Sequence, residues 1–195
     1  MTSVSALNHI HKSGLFGNHE NKNEESLLKV TEIKNLLIVQ IFQYKNSRVS
    51  FEDIDIDNLK LKNEPLIVAG NNDTRVLWNG PKNWLLISIK KDLLKNVSKV
   101  FKETDFAVTD LSHSRAVIEI EGHDAKEVLK KGCPFNFNIL EKNNSINSTY
   151  NGIAFTADMT DDQPNKIRLF TLRSFGESFY HSVTDASLEF GYNSF

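Results

Sequence analysis

The sequence predicts an α+β protein of two small, closely packed subdomains, with antiparallel sheets and helices on one face. Its 195 residues suffice for one sizeable core or for two small cores that share an interface. A β-hairpin pattern followed by an amphipathic helix occurs at residues 75–102 and again at 153–190. We therefore place the first subdomain at residues 29–104 and the second at 105–195, after an N-terminal arm at 1–28.

The N-terminal arm is polar and includes a run of Asn, Lys and Glu at residues 18–26. Leu15 and Phe16 are its main apolar anchors. Such a segment buries too little apolar surface to offset the entropy lost on ordering. We expect an extended or disordered arm that lies across a partner subunit, or else an ordinary frayed terminus.

The first subdomain begins with the β-rich residues 30–44, whose pattern breaks near residues 34–35, as in a strand or an Asn-turn hairpin. Residues 75–78 and 84–89 are predicted strands joined by an Asn-Gly-Pro turn. Residues 92–101 then carry apolar side chains on one helical face. This order predicts a hairpin followed by a helix.

The second subdomain is organised around one strand–turn–helix unit. Residues 116–120 alternate as in a strand with one buried face, and residues 125–129 carry a short helical stripe. Asp124 lies where a side chain can accept from free N–H groups at a helix start. Gly132 is expected to close the helix in a left-handed conformation, and Pro134 prevents its continuation.

The C-terminal part continues with strands. Residues 145–156 read as strand with an Asn-Gly turn at 151–152, and residues 167–172 alternate as another strand. Residues 176–189 form the last predicted helix, which Gly191 ends.

The composition is ordinary for a soluble globular protein, with 39% hydrophobic and 25% charged residues. A net charge of -2 gives no electrostatic reason to expect nucleic acid or an anionic membrane as partner. The apolar runs are too short to span a bilayer, and the N-terminus lacks the pattern of a secretory signal. With one cysteine, the chain fits a reducing compartment, so we expect a cytoplasmic protein.

The segment from Asp110 to Arg115 invites a catalytic interpretation because it also contains Ser112, His113 and Ser114. Neighbouring side chains on a strand point to opposite faces, so Ser112 and His113 are expected to diverge. No G-x-S-x-G motif is present. We favour a structural or interface role in which Asp110 and the serines fix the strand entry and Arg115 pairs with a carboxylate.

Other residues are candidates for the core or for an interface. Trp78 and Trp84 flank the hairpin turn, and tryptophan is common both in cores and at subunit interfaces. Arg173 and Phe175 stand between the last strand and the last helix, where an arginine can bind a partner's carboxylate. Cys133, at a helix C-terminus and before Pro134, is expected to be a buried, inert thiol.

The sequence gives little support for a metal or cofactor site in this chain. The histidines have no Cys or carboxylate at metal-ligand spacing. The nine glycines form neither a dinucleotide-binding nor a P-loop motif, so flavin or NAD binding by this chain is not expected.

Four stretches of the chain form a set of motifs: DLSHSRAVIEIEG at 110–122, DAKEVLKKGCPFNF at 124–137, Asn83-Trp84-Leu85-Leu86, and Arg173-Ser174-Phe175. Together they resemble the gamma subunit of heterotetrameric sarcosine oxidase, and the likeness covers about residues 75–191. The strand–turn–helix also resembles, more remotely, the folate-binding fold of aminomethyltransferases. The resemblance implies a ferredoxin-like first subdomain beside a second one similar to that folate-binding fold.

The resemblance also implies a function. The chain would be a non-catalytic subunit that assembles and stabilises a flavin-dependent oxidoreductase with CH–NH donors and oxygen as acceptor. Such a complex demethylates sarcosine to glycine, makes H2O2 and passes the methyl carbon to tetrahydrofolate or releases it as formaldehyde. The partners would be the alpha and beta subunits, possibly delta, and these would carry FAD, FMN, NAD, zinc and tetrahydrofolate.

A second hypothesis is a stand-alone folate-binding or one-carbon transfer protein. It rests on the likeness to the folate-binding fold alone. A pterin pocket needs apolar walls and a carboxylate that faces the ring. Glu119 or Glu121 would have to supply that carboxylate.

Overall fold

The computed structural model describes residues 4–195, which form strands far more than helices. In chain order, the strands and helices are β1 (Gly14–Phe16), β2 (Leu28–Glu32), β3 (Leu37–Gln43), β4 (Asp55–Ile56), β5 (Leu59–Lys60), β6 (Val68–Gly70), β7 (Thr74–Gly80), β8 (Asn83–Ser88), α1 (Leu93–Val100), β9 (Phe106–Asp110), β10 (Arg115–Glu121), α2 (Ala125–Lys130), β11 (Ser145–Tyr150), β12 (Ile153–Asp162), β13 (Asn165–Leu172), α3 (Gly176–Ser187) and β14 (Tyr192–Ser194).

The chain divides into two compact units, but at boundaries other than those predicted. One unit joins residues 4–34 to 114–195, and the other is residues 35–113. The predicted boundaries after residues 28 and 104 are therefore corrected. The reason is strand pairing: β2 pairs with β10 of the later part of the chain, whereas β9 pairs with β3.

The larger unit is built on a seven-stranded sheet in the order β1-β14-β2-β10-β13-β12-β11. All pairs are antiparallel except β14 with β2, which are parallel. Helices α2 and α3 contact β10 and β13, where apolar side chains such as Ile118, Leu169, Val128 and Phe179 are buried. The α+β class with mainly antiparallel sheets is confirmed.

The N-terminal segment belongs to this sheet and is not a separate arm. Leu7 is fully buried, and β1 adds to the sheet edge by pairing with β14. The ring of Phe16 stacks on Tyr192 at 5.2 Å between centroids. The predicted independent arm at residues 1–28 is thus wrong for the described residues 4–28, because a few apolar side chains suffice to anchor them.

The smaller unit has a five-stranded sheet in the order β6-β7-β8-β3-β9 and one helix, α1. The β7–β8 hairpin and α1 are confirmed at their predicted places. Its hydrophobic core includes Val39, Val76, Trp84, Leu86 and Val97. β2 and β3 do not form the hairpin considered for residues 30–44, since they join different sheets.

The strand–turn–helix unit is confirmed as β10 and α2, with two local corrections. Asp124 makes no side-chain capping bond; only its carbonyl oxygen accepts, from Val128 N at 3.1 Å. Gly132 is not among the positive-φ glycines. A Cβ built on Gly132 would lie 2.7–2.8 Å from three ring carbons of Tyr150. Glycine is therefore required here by the approach of a buried ring.

Two turn predictions are confirmed by backbone angles. Asn151 and Gly152 have φ of 47° and 83° in the turn between β11 and β12, as an Asn-Gly hairpin requires. Gly191 follows α3 with φ of 71°. No helix in the part of the chain that the structure describes is long and apolar enough to cross a bilayer.

Candidate functional site

The Asp110–Ser112 turn is held by hydrogen bonds within the smaller unit. The Asp110 carboxylate accepts from the Ser112 backbone N at 2.9 Å and from Ser112 Oγ at 2.5 Å. Ser112 Oγ in turn accepts from Ile38 N at 3.0 Å, which ties the end of β9 to β3. His113 is exposed. The geometry is that of a structural turn and brings no histidine to the Ser112 hydroxyl.

Arg115 begins β10 in the larger unit and lies directly opposite Leu172 of β13. We predicted that Arg115 pairs with a carboxylate, and this is wrong within residues 4–195. Its hydrogen bonds there are long ones to its neighbour Ser114, 3.4 Å to the carbonyl oxygen and 3.3 Å to Oγ. Burial lowers the pKa of the Arg115 guanidinium, with no acid to oppose that effect.

The turn after β13 brings further candidates to the same end of the β10–β13 pair. Arg173 N donates to Ser114 O at 2.9 Å, and Arg173 Nη2 donates to Val4 O at 2.5 Å. Val4, Leu172 and Phe175 are exposed by 59%, 43% and 48%. We name this surface the strand-end patch and define it by five residues: Val4, Arg115, Leu172, Arg173 and Phe175.

The two tryptophans lie opposite each other across the β7–β8 hairpin, in different surroundings. Trp84 is 0% exposed, packs 5.1 Å from the Phe51 ring and donates from Nε1 to Lys62 O at 2.7 Å. Trp78 is partly exposed and donates to Asn63 Oδ1 at 3.3 Å. Trp84 is therefore a core residue, and an interface role is left to Trp78 alone.

Cys133 is buried, and its Sγ donates to Ser148 Oγ at 3.3 Å. The predicted buried thiol is confirmed. Pro134, the next residue, is exposed and follows the last turn of α2. The burial of Cys133 and the position of Pro134 after α2 indicate that the pair contributes packing and a helix stop.

The carboxylates considered for a pterin pocket are already bound to cations. Glu119 accepts from Arg168 Nε at 2.7 Å. Glu121 lies between Lys166 and Lys29, at 2.5 and 3.0 Å from their Nζ atoms. The hydrogen bond from Lys166 is the main cause that lowers the pKa of Glu121. Neither carboxylate is free to face a ring, which weakens the folate-binding hypothesis.

A second cluster of polar residues, around His11, was not predicted from the sequence. His11 Nε2 lies 2.9 Å from Ser194 Oγ, and the His11 ring meets the edge of Tyr180 at 5.5 Å. Ser5 Oγ donates to the Glu32 carboxylate in the same part of the unit. These partners are far apart in the chain, so no local pattern signals them. The described residues contain no group of His, Cys, Asp and Glu that could hold a metal ion.

Two open clefts lie beside this cluster along α3. One, of about 310 Å³, lies between the N-terminal segment and the helix, with Lys12, Phe16 and Tyr192 in its wall. The other, of about 470 Å³, includes Thr184 and Asp185. Both are open to solvent, unlike the enclosed apolar pockets typical of small-molecule sites.

Comparisons with known proteins place these observations in context. The chain is 33% identical over 127 residues to the sarcosine oxidase subunit gamma of Corynebacterium sp. strain U-96, covering 63% of this chain and 61% of that one. The corresponding subunit of strain P-1 is 32% identical over 128 residues, with 64% and 62% covered. The resemblance to sarcosine oxidase gamma subunits is confirmed. The aligned part spans about three fifths of the length of these gamma subunits.

The fold similarity extends further than the sequence similarity. A chain of the heterotetrameric sarcosine oxidase from Corynebacterium sp. U-96, in complex with pyrrole 2-carboxylate, matches with a TM-score of 0.79 and 23% identity over 96% of this chain and 95% of that chain. The glycine cleavage system aminomethyltransferase T from Bartonella henselae matches with a TM-score of 0.61 and 11% identity, over 88% and 48%. The expected aminomethyltransferase-like fold is thus confirmed. No family model matches the chain.

The environment of His11 predicts that the free energy of unfolding depends on pH. Burial lowers the pKa of His11 below 6.5, against a smaller opposing effect of Glu32. The unfolded chain then binds the proton more readily, so the free energy of unfolding should rise with pH through the range just below 6.5 and level off above it. Urea unfolding from about pH 5 to pH 7.5 measures this. The slope should fall in His11→Gln and persist in His9→Gln, which changes an exposed histidine; equal slopes in the two variants would contradict the assignment.

Proposed function

We propose that this chain acts as the gamma subunit of a heterotetrameric sarcosine oxidase-type complex, with a role in assembly and stabilisation. The observation that carries the proposal is the identity of about one third with two gamma subunits over 127 and 128 residues. The fold match over 96% of the chain to a chain of such a complex supports it.

The complex would oxidise sarcosine to glycine, produce H2O2 and transfer the methyl carbon to tetrahydrofolate. As a subunit, the chain would be part of a flavin-dependent oxidoreductase acting on CH–NH donors with oxygen as acceptor. Its partners would be the alpha and beta subunits, possibly with delta. FAD, FMN, NAD, zinc and tetrahydrofolate would be bound by those chains.

The described residues support a role outside the chemical step. Ser112 bonds to Asp110 and to a backbone N–H in a structural turn, and the Cys133 thiol is buried. Glu119 and Glu121 are neutralised by ion pairs. The strand-end patch combines three exposed apolar residues, Val4, Leu172 and Phe175, with two arginines, a combination that fits contact with another protein better than catalysis.

Co-expression with the neighbouring genes tests this function. We expect a yellow complex that contains this chain on size-exclusion chromatography with light scattering, and that oxidises sarcosine with formation of H2O2. Omission of this chain should reduce the yield of assembled complex about tenfold or more, while flavin absorbance stays with the other subunits.

A different result would contradict the proposal. A colourless monomer or homodimer that does not bind those subunits would exclude a gamma-type role. Loss of flavin binding from otherwise assembled subunits, when only this chain is omitted, would assign cofactor chemistry to this chain. In the first case a tetrahydrofolate titration of the free chain would test the folate-binding alternative.

A further inference from the structure

Arg115 differs from the other cations on its face of the larger sheet in having no acidic partner among residues 4–195. The residues at alternate positions along β10 share this face, and their cations and acids are paired: Arg168 with Glu119 and Lys166 with Glu121. Arg115 is half-buried at the end of the same row, and within the described residues it makes only two long bonds to its neighbour Ser114.

A partly buried cation without an acidic partner raises the free energy of the folded chain. The environment of Arg115 therefore indicates that an acid outside residues 4–195 binds it. A guanidinium carries five N–H donors in a planar fork that matches a carboxylate, and such bidentate pairs are among the strongest hydrogen-bonded contacts in proteins. Burial lowers the pKa of the Arg115 guanidinium, and no acid among residues 4–195 opposes that effect. A carboxylate that docks on Arg115 would accept from donors that residues 4–195 do not bind.

The surroundings of Arg115 indicate that this carboxylate belongs to a protein segment. Leu172 lies directly across from Arg115, and Phe175 ends the 3-10 turn that follows it; both are exposed by more than two fifths. The bond from Arg173 to Val4 O holds a further exposed apolar residue in the same region. A small anion would leave these apolar side chains in water, whereas a peptide segment can cover them.

The acidic residues close to the strand-end patch in the sequence do not pair with Arg115. Glu177, which follows the patch in the first turn of α3, is exposed and lies 4.0 Å from His181 Nε2. Glu119 is engaged with Arg168. Arginine and aromatic side chains beside apolar contacts are typical of the residues that dominate binding energy in protein interfaces.

We propose that the strand-end patch is a docking surface for an acidic, partly apolar segment of a partner subunit. A carboxylate of that segment pairs with Arg115, and its apolar side chains cover Leu172 and Phe175. The inference rests on the proposed function, because it names the surface by which this chain enters the complex. It adds the site of contact and the chemistry of the segment that binds there.

Paired substitutions in the co-expressed complex test the patch. Arg115→Glu and Phe175→Ser should each weaken assembly with the partner subunits about tenfold or more, because a like charge or a lost apolar anchor opposes docking. Arg48→Glu and Ile89→Ser are matched controls, since both residues are exposed and lie outside the patch. The controls should leave assembly within about twofold of the unaltered chain. Circular dichroism and thermal unfolding verify that each variant is folded, and Arg115→Gln replaces Arg115→Glu if the charge reversal prevents folding.

The place of contact is tested by photocrosslinking. A photoreactive phenylalanine analogue in place of Phe175 should crosslink to a partner peptide rich in Asp or Glu, identified by mass spectrometry. Reversal of an acid in that peptide to Lys should restore assembly of the Arg115→Glu variant. A crosslink to a basic segment, or none to any partner, would overturn the proposal.

The outcomes separate this inference from the proposed function. If the unaltered chain forms no complex with the neighbouring subunits, both are wrong. If it forms the complex and the Arg115 and Phe175 variants assemble as well as the controls, the patch alone is wrong. Normal assembly of the Arg115 variants with loss of tetrahydrofolate binding by the complex would assign the guanidinium to a small anion, and would also overturn the docking surface.

Discussion

Trp84→Ala is expected to lower the free energy of unfolding by about 3–5 kcal/mol. Trp84 is 0% exposed and lies within the core of the smaller unit beside Val39, Val76 and Leu86. Removal of the indole leaves a cavity and also leaves Lys62 O without its donor at 2.7 Å. Urea unfolding followed by far-UV circular dichroism measures the loss.

Trp78→Ala is the matched control for this change. Trp78 lies opposite Trp84 on the same hairpin but is partly exposed, so its removal should cost about 1–2 kcal/mol. Trp84→Phe, which keeps most of the apolar volume and loses the Nε1 donor, should fall between the unaltered chain and Trp84→Ala. Equal losses for the two alanine variants would show that Trp84 is not the core residue described here.

Gly132→Ala is expected to destabilise the larger unit by about 1–3 kcal/mol through overpacking. The added Cβ would lie 2.7–2.8 Å from ring carbons of Tyr150. That ring cannot move away easily, because Tyr150 is fully buried and its hydroxyl donates to Val128 O at 3.0 Å. Burial also raises the pKa of Tyr150 to about 12, so the hydroxyl stays protonated as a donor.

Gly70→Ala provides the control for a glycine without such a neighbour. The three atoms nearest to a Cβ on Gly70 all belong to the Arg75 side chain, the first being Nη1 at 3.1 Å. Because the end of an arginine side chain is flexible, a small shift of that group would accommodate the methyl group. We expect a change of about 0.5 kcal/mol or less. If Gly132→Ala is as mild as Gly70→Ala in chemical unfolding, the close approach of Tyr150 is not a packing constraint.

The elements that the sequence predicted well carry their signals locally. The Asn151-Gly152 turn needs two positive φ angles, which these residue types tolerate, and both angles are observed. The helical stripe at residues 92–101 became α1, and the alternation at 116–120 became the centre of β10. In each case one short stretch contains both the pattern and its physical cause.

The predictions that failed required knowledge of distant partners. β2 and β3 are separated by four residues, yet they join different sheets, because each finds its pairing strand much later in the chain. The role of Gly132 depends on Tyr150, and the contact between His11 and Ser194 spans nearly the whole sequence. No window of neighbouring residues contains both members of such a pair.

The sequence could not show, for a related reason, that Arg115 pairs with no carboxylate among residues 4–195. An arginine in a strand next to acidic strands is expected to find a carboxylate, and Arg168 and Glu119 do pair in this way. Position along the strand decides the outcome: Arg115 stands at the end of β10 opposite Leu172, beyond the reach of the acids in the row. The pairing register, which composition cannot reveal, sets this difference.

The order of the sheet has a consequence for synthesis of the protein. β14 (Tyr192–Ser194) lies between β1 and β2, although both of these strands are synthesised long before it. The larger unit is therefore discontinuous in sequence, and β1 cannot join the sheet before β14 has been synthesised. Residues 35–113, by contrast, are contiguous and can fold while translation continues. Until β14 is available, β2 can pair with β10 on one side only, and its open side is an exposed strand edge of the kind that favours aggregation.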